Sequence, residues 1–486
     1  MAEKSIKKNA FYSVIRTIMS LLFPLITFPY ASRILLPEGT GKVNFANSII
    51  SYFGMLASLG IGTYGIREAA KVRHDKRLLS QFTMELFTIN LLSTLVSYIL
   101  LYIAIITVPK FYEYRMLLYM TSVTIIFSTM GISWLYSAVE EYGYIALRSV
   151  IFQIVSIILL FSFVKEKDDY VLYAGIGVVS SVGSNIFNLL YAKKFISFEG
   201  IKKLELKKHL KPIFVLFGST LAISIFTILD TSMLGFLSSD KEVGYYSAAT
   251  KLTRMIRDLF PAVFTVLFAR LSIYAVQEEK KEKYESLVFN MLSFIICFSI
   301  PIISGLFLLG KPVLILLSGE AFLPALPAMY IMIPVILFSS TAGFLGGSVL
   351  NSLSKERWYL NTVIAGAFIN FVLNYLLIPH YGALGAGVAT VITEFILMLC
   401  YILQLKNMIP FRKLAKPFFE SLGACLLMTV VLCFIKDYLF NGLLQIVFVT
   451  GIGIIIYFSV LLLFKNYFAM QILEIVRSKL HIRGRK

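Results

Sequence analysis

Apolar runs of about 20 residues, each long enough to cross ~30 Å of hydrocarbon at 1.5 Å rise per residue, recur along this chain from Phe11 to Phe464. That pattern demands a bilayer. Stretches such as Ile213–Leu229, Leu287–Leu309 and Leu443–Phe464 are apolar on every side, whereas a closed barrel would show ~10-residue alternating segments, so the spans are predicted to be helices. With 58% hydrophobic and 15% charged residues in 486, no soluble domain is expected.

The predicted spans are 11–36, 43–66, 81–107, 114–138, 144–164, 170–192, 212–237, 244–273, 286–309, 326–350, 359–379, 383–405, 416–435 and 443–464. The expected fold is thus an all-α integral membrane bundle of about fourteen transmembrane helices. The basic segment Met1–Asn9 leads into a long span without a small-residue cleavage site, so the first helix is expected to stay. Most of the 45 Lys and Arg fall on the side of the N-terminus, which by the positive-inside rule predicts that both termini are cytoplasmic. Lys193, Lys194, Lys202, Lys203, Lys207, Lys208 and Lys211 form one short loop suited to an anionic leaflet, so the net charge of +18 needs no nucleic acid to explain it. The outer loops are short, and the longest, around Lys311–Leu323, is expected to be a shallow re-entrant or interfacial turn.

An internal repeat organises the spans. Tyr136-Ser-Ala-Val-Glu-Glu-Tyr-Gly-Tyr144, Ile151–Leu160 and Ala174–Ser180 run in step with Leu350-Asn-Ser-Leu-Ser-Lys-Glu-Arg-Trp358, Ile364–Leu373 and Leu384–Thr390. Arg33–Asn47 similarly parallels Met233–Thr250, with Gly41 and Gly244 in matching places. Six spans separate the copies, which predicts two parallel, pseudo-symmetric six-helix lobes, residues 1–192 and 212–405. A basic cytoplasmic linker, 193–211, joins them, residues 406–486 add two further helices and a basic tail, and a site is expected between the lobes.

Charge inside hydrocarbon costs roughly 2.5–3.5 kcal/mol per residue, so such residues mark a watery pathway or a pair. In span eight Lys251, Arg254, Arg257 and Asp258 share one helical face at depths of about 10, 15, 20 and 21 Å from Gly244. Arg254 is expected to pair with Asp258 at i+4, leaving two cations for an anionic ligand. Arg254 and Arg257 are the leading candidates, because a guanidinium fork binds phosphate bidentately and keeps its charge in a low dielectric. Asp230 in span seven could pair with Lys251 as scaffolding. Arg16 and Arg33, at either end of span one, snorkel or face the pathway. Glu85 and Glu394 are candidate coupling-ion carboxylates, or else pair structurally. Pro24, Pro29, Pro261 and Pro301 would permit bends.

Other chemistries lack their residues. Cys297, Cys400, Cys425 and Cys433 sit in apolar spans without metal or disulfide spacing, and His74, His209, His380 and His481 are scattered singly over loops and tail. No cofactor is expected. No GxxxxGK[ST] loop is present, so any energy must come from an Na+ or H+ gradient or from the substrate's own.

Phe28-Pro-Tyr-Ala-Ser-Arg-Ile-Leu-Leu-Pro-Glu-Gly-Thr-Gly41, Phe45–Phe53 and Gly60–Glu68 resemble Wzx-type polysaccharide flippases of the multidrug/oligosaccharidyl-lipid/polysaccharide exporter superfamily. Asp230-Thr-Ser-Met-Leu-Gly235, Val243–Lys251 and Pro379–Thr390 extend the resemblance over nearly the whole chain. It implies a transporter, not an enzyme, that moves undecaprenyl-diphosphate-linked oligosaccharide (O-antigen or exopolysaccharide repeat units) from the inner to the outer leaflet of a bacterial cytoplasmic membrane by alternating access. It further implies that Arg254 and Arg257, on the span where related lipid II flippases carry cavity arginines, bind the diphosphate, to which Lys251, Arg33 and Arg16 are added as candidates by their placement in the spans, and that a polymerase and glycosyltransferases are partners. The mid-span arginine that related lipid II flippases carry on the first helix has no match here, where the stretch reads Ile26-Thr-Phe-Pro29. The alternatives are an ion-coupled multidrug exporter of the same superfamily, which would favour acidic cavity residues, and a polysaccharide polymerase or ligase, which would need a sizeable outer loop.

Overall fold

The computed structural model describes residues 6–197, 203–409, 411–436, 442–471 and 473–474. Lys202, His481 and most of the C-terminal tail lie outside the described residues. Among those described, every regular element is helical. In chain order these are α1 (Ile6–Ser58), α2 (Ile61–Val72), α3 (Lys76–Thr107), α4 (Pro109–Glu113), α5 (Arg115–Gly131), α6 (Ser133–Ala138), α7 (Tyr142–Phe163), α8 (Tyr170–Val182), α9 (Ile186–Ala192) and α10 (Lys207–Leu237). There follow α11 (Asp240–Arg257), α12 (Phe260–Ala275), α13 (Lys281–Ser318), α14 (Leu326–Met332), α15 (Val335–Phe344), α16 (Glu356–Leu405), α17 (Ala415–Ile435) and α18 (Leu443–Leu463). Eight helical stretches are long and apolar enough to cross a bilayer, or nine if the bent pair Glu320–Met332 and Val335–Leu350 counts as one. The chain is a multi-pass membrane protein.

Two of the long helices contain a break where the sequence separates two spans. In α1, Leu36 sits at φ 58° immediately before Pro37, whose ring disfavours the helical region for its predecessor. In α16, Gly382 takes φ 51°, ψ −128°, a conformation open to glycine. Pro24 and Pro29 lie within α1 and Pro301 and Pro312 within α13, as membrane helices allow when neighbours satisfy the freed carbonyls. Of the 311–323 segment, expected as a shallow re-entrant or interfacial turn, the part up to Ser318 is helical, and the bent pair that starts at Glu320 turns by 48°. Helix α13 continues to Ser318, because Pro312 does not end an apolar helix in this setting, and a short 3₁₀ segment, Glu320–Ala325, follows.

The chain divides into two compact units, Met1–Gly244 and Tyr245–Lys486. In the first, α1 packs against α3, α5, α7 and α10. Its buried cluster gathers Leu79, Leu86, Trp134, Leu135 and Tyr136. The matching glycines of the repeat meet within this unit. A Cβ on Gly41 would collide with the Asp240 carbonyl and lie 3.0 Å from the Gly244 nitrogen, and one on Gly244 would collide with the Pro37 carbonyl. Each glycine therefore accepts the backbone of the residue four positions before the other, a reciprocal contact that a repeat would produce. In the second unit α13 packs on α15, α17 and α18, and α16 on α14 and α15.

Candidate functional site

The cationic stripe occupies the C-terminal half of α11, where exposed carbonyl dipoles favour positive charge. Lys251, Arg254 and Arg257 are all half-buried, and Lys251 and Arg254 are close enough to repel. The helix stops at Arg257 and restarts at Phe260, with Pro261 in its first turn, where a missing N–H costs nothing. That break changes one expected pair. Asp258 lies beyond the end of α11, so its Oδ1 accepts from Arg257 Nε and NH2, each at 3.3 Å, and not from Arg254.

Beside this junction lies a cavity of about 540 Å³ within the second unit. One side is Arg257, Asp258, Pro261, Phe264 and Phe268; the other is Ser339, Ser340, Gly343, Gly347, Ser348 and Asn351. The second wall includes a π-helical turn, Leu345–Leu350, a local widening found at many functional sites. A Cβ on Gly343 or Gly347 would meet nothing, so these glycines leave room instead of closing a packing gap. Ser340 is 2% exposed and its Oγ has no partner among the described residues; the same holds for Asn351 Oδ1, although Asn351 Nδ2 donates to the Gly347 carbonyl at 2.9 Å. Arg257, Ser339 and Ser348 thus line one space, with the unpartnered Ser340 Oγ and Asn351 Oδ1 buried in its wall, a set able to bind an anionic, hydroxylated ligand. Lys251 and Arg254 are not in this lining.

The remaining candidates are dispersed. Arg33 is exposed and donates to the Pro29 carbonyl at 2.6 Å. Arg16, also exposed, interacts electrostatically with Arg148, a residue the sequence reading passed over. Arg148 donates to Asn185 Oδ1 at 2.8 Å and Asn188 Oδ1 at 2.7 Å. Asp230 in the first unit and Glu394 on α16 are buried, at 4% and 5% exposure.

Glu85 has a full set of partners. Its Oε2 meets His209 Nε2 at 2.8 Å and Lys208 Nζ at 3.0 Å, while Oε1 accepts from the Glu205 N–H at 3.0 Å and Gln81 Nε2 at 3.1 Å. Tyr64 Oη bonds His209 Nδ1 at 2.8 Å. His209 is not a loop residue. Helix α10 begins at Lys207, inside the Lys-rich run, and carries the imidazole into the first unit at 4% exposure.

A family model described as polysaccharide biosynthesis protein matches residues 6–275. A candidate O-antigen transporter of Escherichia coli (strain K12) is 23% identical over 414 residues, 83% of this chain and 97% of that protein. Capsular polysaccharide biosynthesis protein CapF of Staphylococcus aureus is 24% identical, over 81% of this chain and 98% of its own length. Among solved structures, the lipid II flippase MurJ in an inward closed conformation superposes with a TM-score of 0.73 over 96% of this chain and 99% of that one, at 17% identity. An inward-facing multidrug resistance MATE transporter gives 0.61 over 81% and 98%, at 14% identity. These likenesses show a shared helical fold, and the resemblance to Wzx-type flippases stands. The chain belongs to the polysaccharide biosynthesis protein family.

Proposed function

We propose that this chain flips undecaprenyl-diphosphate-linked oligosaccharide from the inner to the outer leaflet of a bacterial cytoplasmic membrane. The observation that carries the proposal is the placement of Arg257 on the wall of a cavity whose other face is hydroxyl, amide and open glycine. Arg257 on that wall, with Arg254 one turn before it on α11, supplies guanidinium forks of the kind that bind a diphosphate. The guanidinium groups take the phosphates through charge-assisted hydrogen bonds, and Ser339, Ser340, Ser348 and Asn351 take hydroxyls of the first sugar. Arg16 and Arg33 contact the headgroup at an early or late stage of passage.

Movement is by alternating access, with the prenyl tail left in lipid. The arrangement of about fourteen spans in lobes 1–192 and 212–405, with both termini cytoplasmic, belongs to this proposal. So does coupling to an Na+ or H+ gradient through Asp230 or Glu394, and delivery of the product to a polymerase after glycosyltransferases have built it. Full-length relatives that carry transporter names and the lipid II flippase fold support it.

The test is translocation of labelled undecaprenyl-diphosphate oligosaccharide in proteoliposomes, scored by an external sugar-modifying enzyme. A hydrogen bond to a charged group contributes about 1.5–3 kcal/mol, so Arg254→Ala/Arg257→Ala should slow translocation at least ~100-fold with folding intact. Wild-type rates in the double variant would refute the diphosphate assignment. An inert wild-type protein, shown to be folded, would refute flipping itself.

A further inference from the structure

A second cavity, of about 630 Å³, lies wholly within the first unit, lined by residues of α1, α3, α5, α7 and α8. Its size is that of a small-molecule site. Its lining contains no Asp, Glu, Lys, Arg or His, yet it is studded with polar groups, among them Asn47, Ser51, Asn90, Thr124, Ser128 and Ser181.

The hydrogen-bond directions narrow the ligand. Ser51 Oγ donates to the Asn47 carbonyl at 2.7 Å, Thr124 Oγ1 to the Thr121 carbonyl at 2.7 Å and Ser181 Oγ to the Gly177 carbonyl at 2.9 Å. Asn90 Nδ2 donates to the Ala57 carbonyl at 2.8 Å. With those protons committed to backbone, these oxygens retain lone pairs, while the Asn47 amide and the Ser128 hydroxyl in the same lining keep protons to donate. A matching ligand both donates and accepts. A cation would satisfy the lone pairs but would find no counter-charge in the lining, and an apolar ligand would leave them unpaired. An uncharged polyhydroxyl compound meets both conditions.

Two glycines of the wall point the same way. Glycine in a helix interior costs roughly 1 kcal/mol relative to alanine, and in this unit Gly41 and Gly244 are explained by backbone contact. Gly54 in α1 and Gly177 in α8 have no such explanation, since a Cβ at either would meet nothing within 4 Å. They widen the cavity.

We infer that this cavity binds uncharged sugar residues of the transported oligosaccharide. This rests on the flippase reading, and its test separates the two. Full-length protein in nanodiscs is titrated with lipid-linked oligosaccharide extracted from its own source cells and with undecaprenyl diphosphate bearing no sugar. Wild type should bind the sugar-bearing lipid at least ten-fold more tightly. Gly54→Leu/Gly177→Leu, placed where a Cβ meets nothing within 4 Å so that the added bulk can enter the cavity, should erase that preference and leave the affinity for the sugar-free lipid unchanged. Ser128→Ala/Asn47→Ala, which removes polar groups without adding bulk, should lower the preference at least three-fold and guards against misfolding of the filled variant. Equal wild-type affinity for the two lipids, or a preference that survives both variants, overturns the inference and leaves the flippase reading intact. Failure of wild type to bind either lipid overturns both.

Discussion

Substituting Glu85 separates two roles for one buried carboxylate. As an ion-coupling group it would exchange partners during transport; as an anchor it holds α3 to the first turn of α10 and to Glu205 just before it. Four donors surround it, and Glu85 and His209 side chains are 1% and 6% exposed. The Lys208 side chain is 47% exposed, so its share of the pairing is at most about 1 kcal/mol. Removing one member of a buried pair costs roughly 3–5 kcal/mol, whereas an amide in place of the carboxylate keeps one acceptor oxygen and brings the expected cost of Glu85→Gln to about 2–3 kcal/mol. Tyr64→Phe deletes only the far hydrogen bond of the chain through His209, about 1 kcal/mol. For a unit of this size ~1 kcal/mol moves the midpoint by about 2–4 °C, so thermal unfolding in detergent should show Glu85→Gln lower by ~4–12 °C and Tyr64→Phe by ~2–4 °C. The double variant should fall short of the sum by ~0.5 kcal/mol or more, because both act on the same imidazole. An unchanged midpoint in Glu85→Gln, combined with transport that no longer responds to the ion gradient, would refute the anchor and restore the coupling role.

Three further outcomes follow from packing. Gly41→Ala and Gly244→Ala each press a methyl group onto a backbone carbonyl that cannot rotate away, so each should cost about 1–3 kcal/mol or more and reduce the monodisperse fraction in size-exclusion chromatography. Gly343→Ala meets open space and should leave the thermal midpoint unchanged or slightly raised, while lowering the translocation rate by narrowing the Arg257 cavity. Asn466, 1% exposed, accepts from the Phe468 and Ala469 N–H groups at 3.0 and 3.3 Å and donates to Glu420 Oε2 at 2.6 Å; Asn466→Ala should cost about 1–2 kcal/mol and speed proteolysis after α18.

Hydropathy runs were sufficient for the helical class, and Pro37 and Gly382 lie at two of the breaks between spans; the breaks at Leu59–Gly60, Ile132 and Asp258–Leu259 fall inside the spans read as 43–66, 114–138 and 244–273. Such local signals were not sufficient for tertiary partners. His209 sits in a Lys-rich stretch that reads as a solvated loop, and only Glu85 and Tyr64, more than a hundred residues away in the chain, reveal it as buried. Asp258 has one arginine at helical spacing, Arg254, and another, Arg257, next to it in the chain, and the choice between them depends on where α11 ends, which Pro261 signalled only as a possible bend. For Arg148 a signal was present, a charge inside an apolar span, but its asparagine partners on another helix could not be read from spacing. The Lys311–Leu323 stretch misled because Lys311 and Pro312 together mimic a loop.

The glycines show why sites are harder to read than spans. Gly41, Gly54, Gly177, Gly244 and Gly343 all occur in helical segments, and composition treats them alike. Gly41 and Gly244 let two backbones touch, while Gly54, Gly177 and Gly343 stand beside empty space. A lipid-linked saccharide needs both kinds of position: tight contacts that hold helices in register, and gaps large enough for sugar. The polar groups divide similarly, since the larger cavity carries no charge and the smaller one carries Arg257 and Asp258. A multidrug exporter selecting cationic compounds would invert that division by placing unpaired carboxylates in a cavity wall. Here the carboxylate in the wall, Asp258, is already engaged by the arginine beside it, and the larger cavity has no carboxylate in its lining at all. Under the proposed function, walls of that composition are what an anionic headgroup with neutral sugars requires and what a cationic drug would find unhelpful.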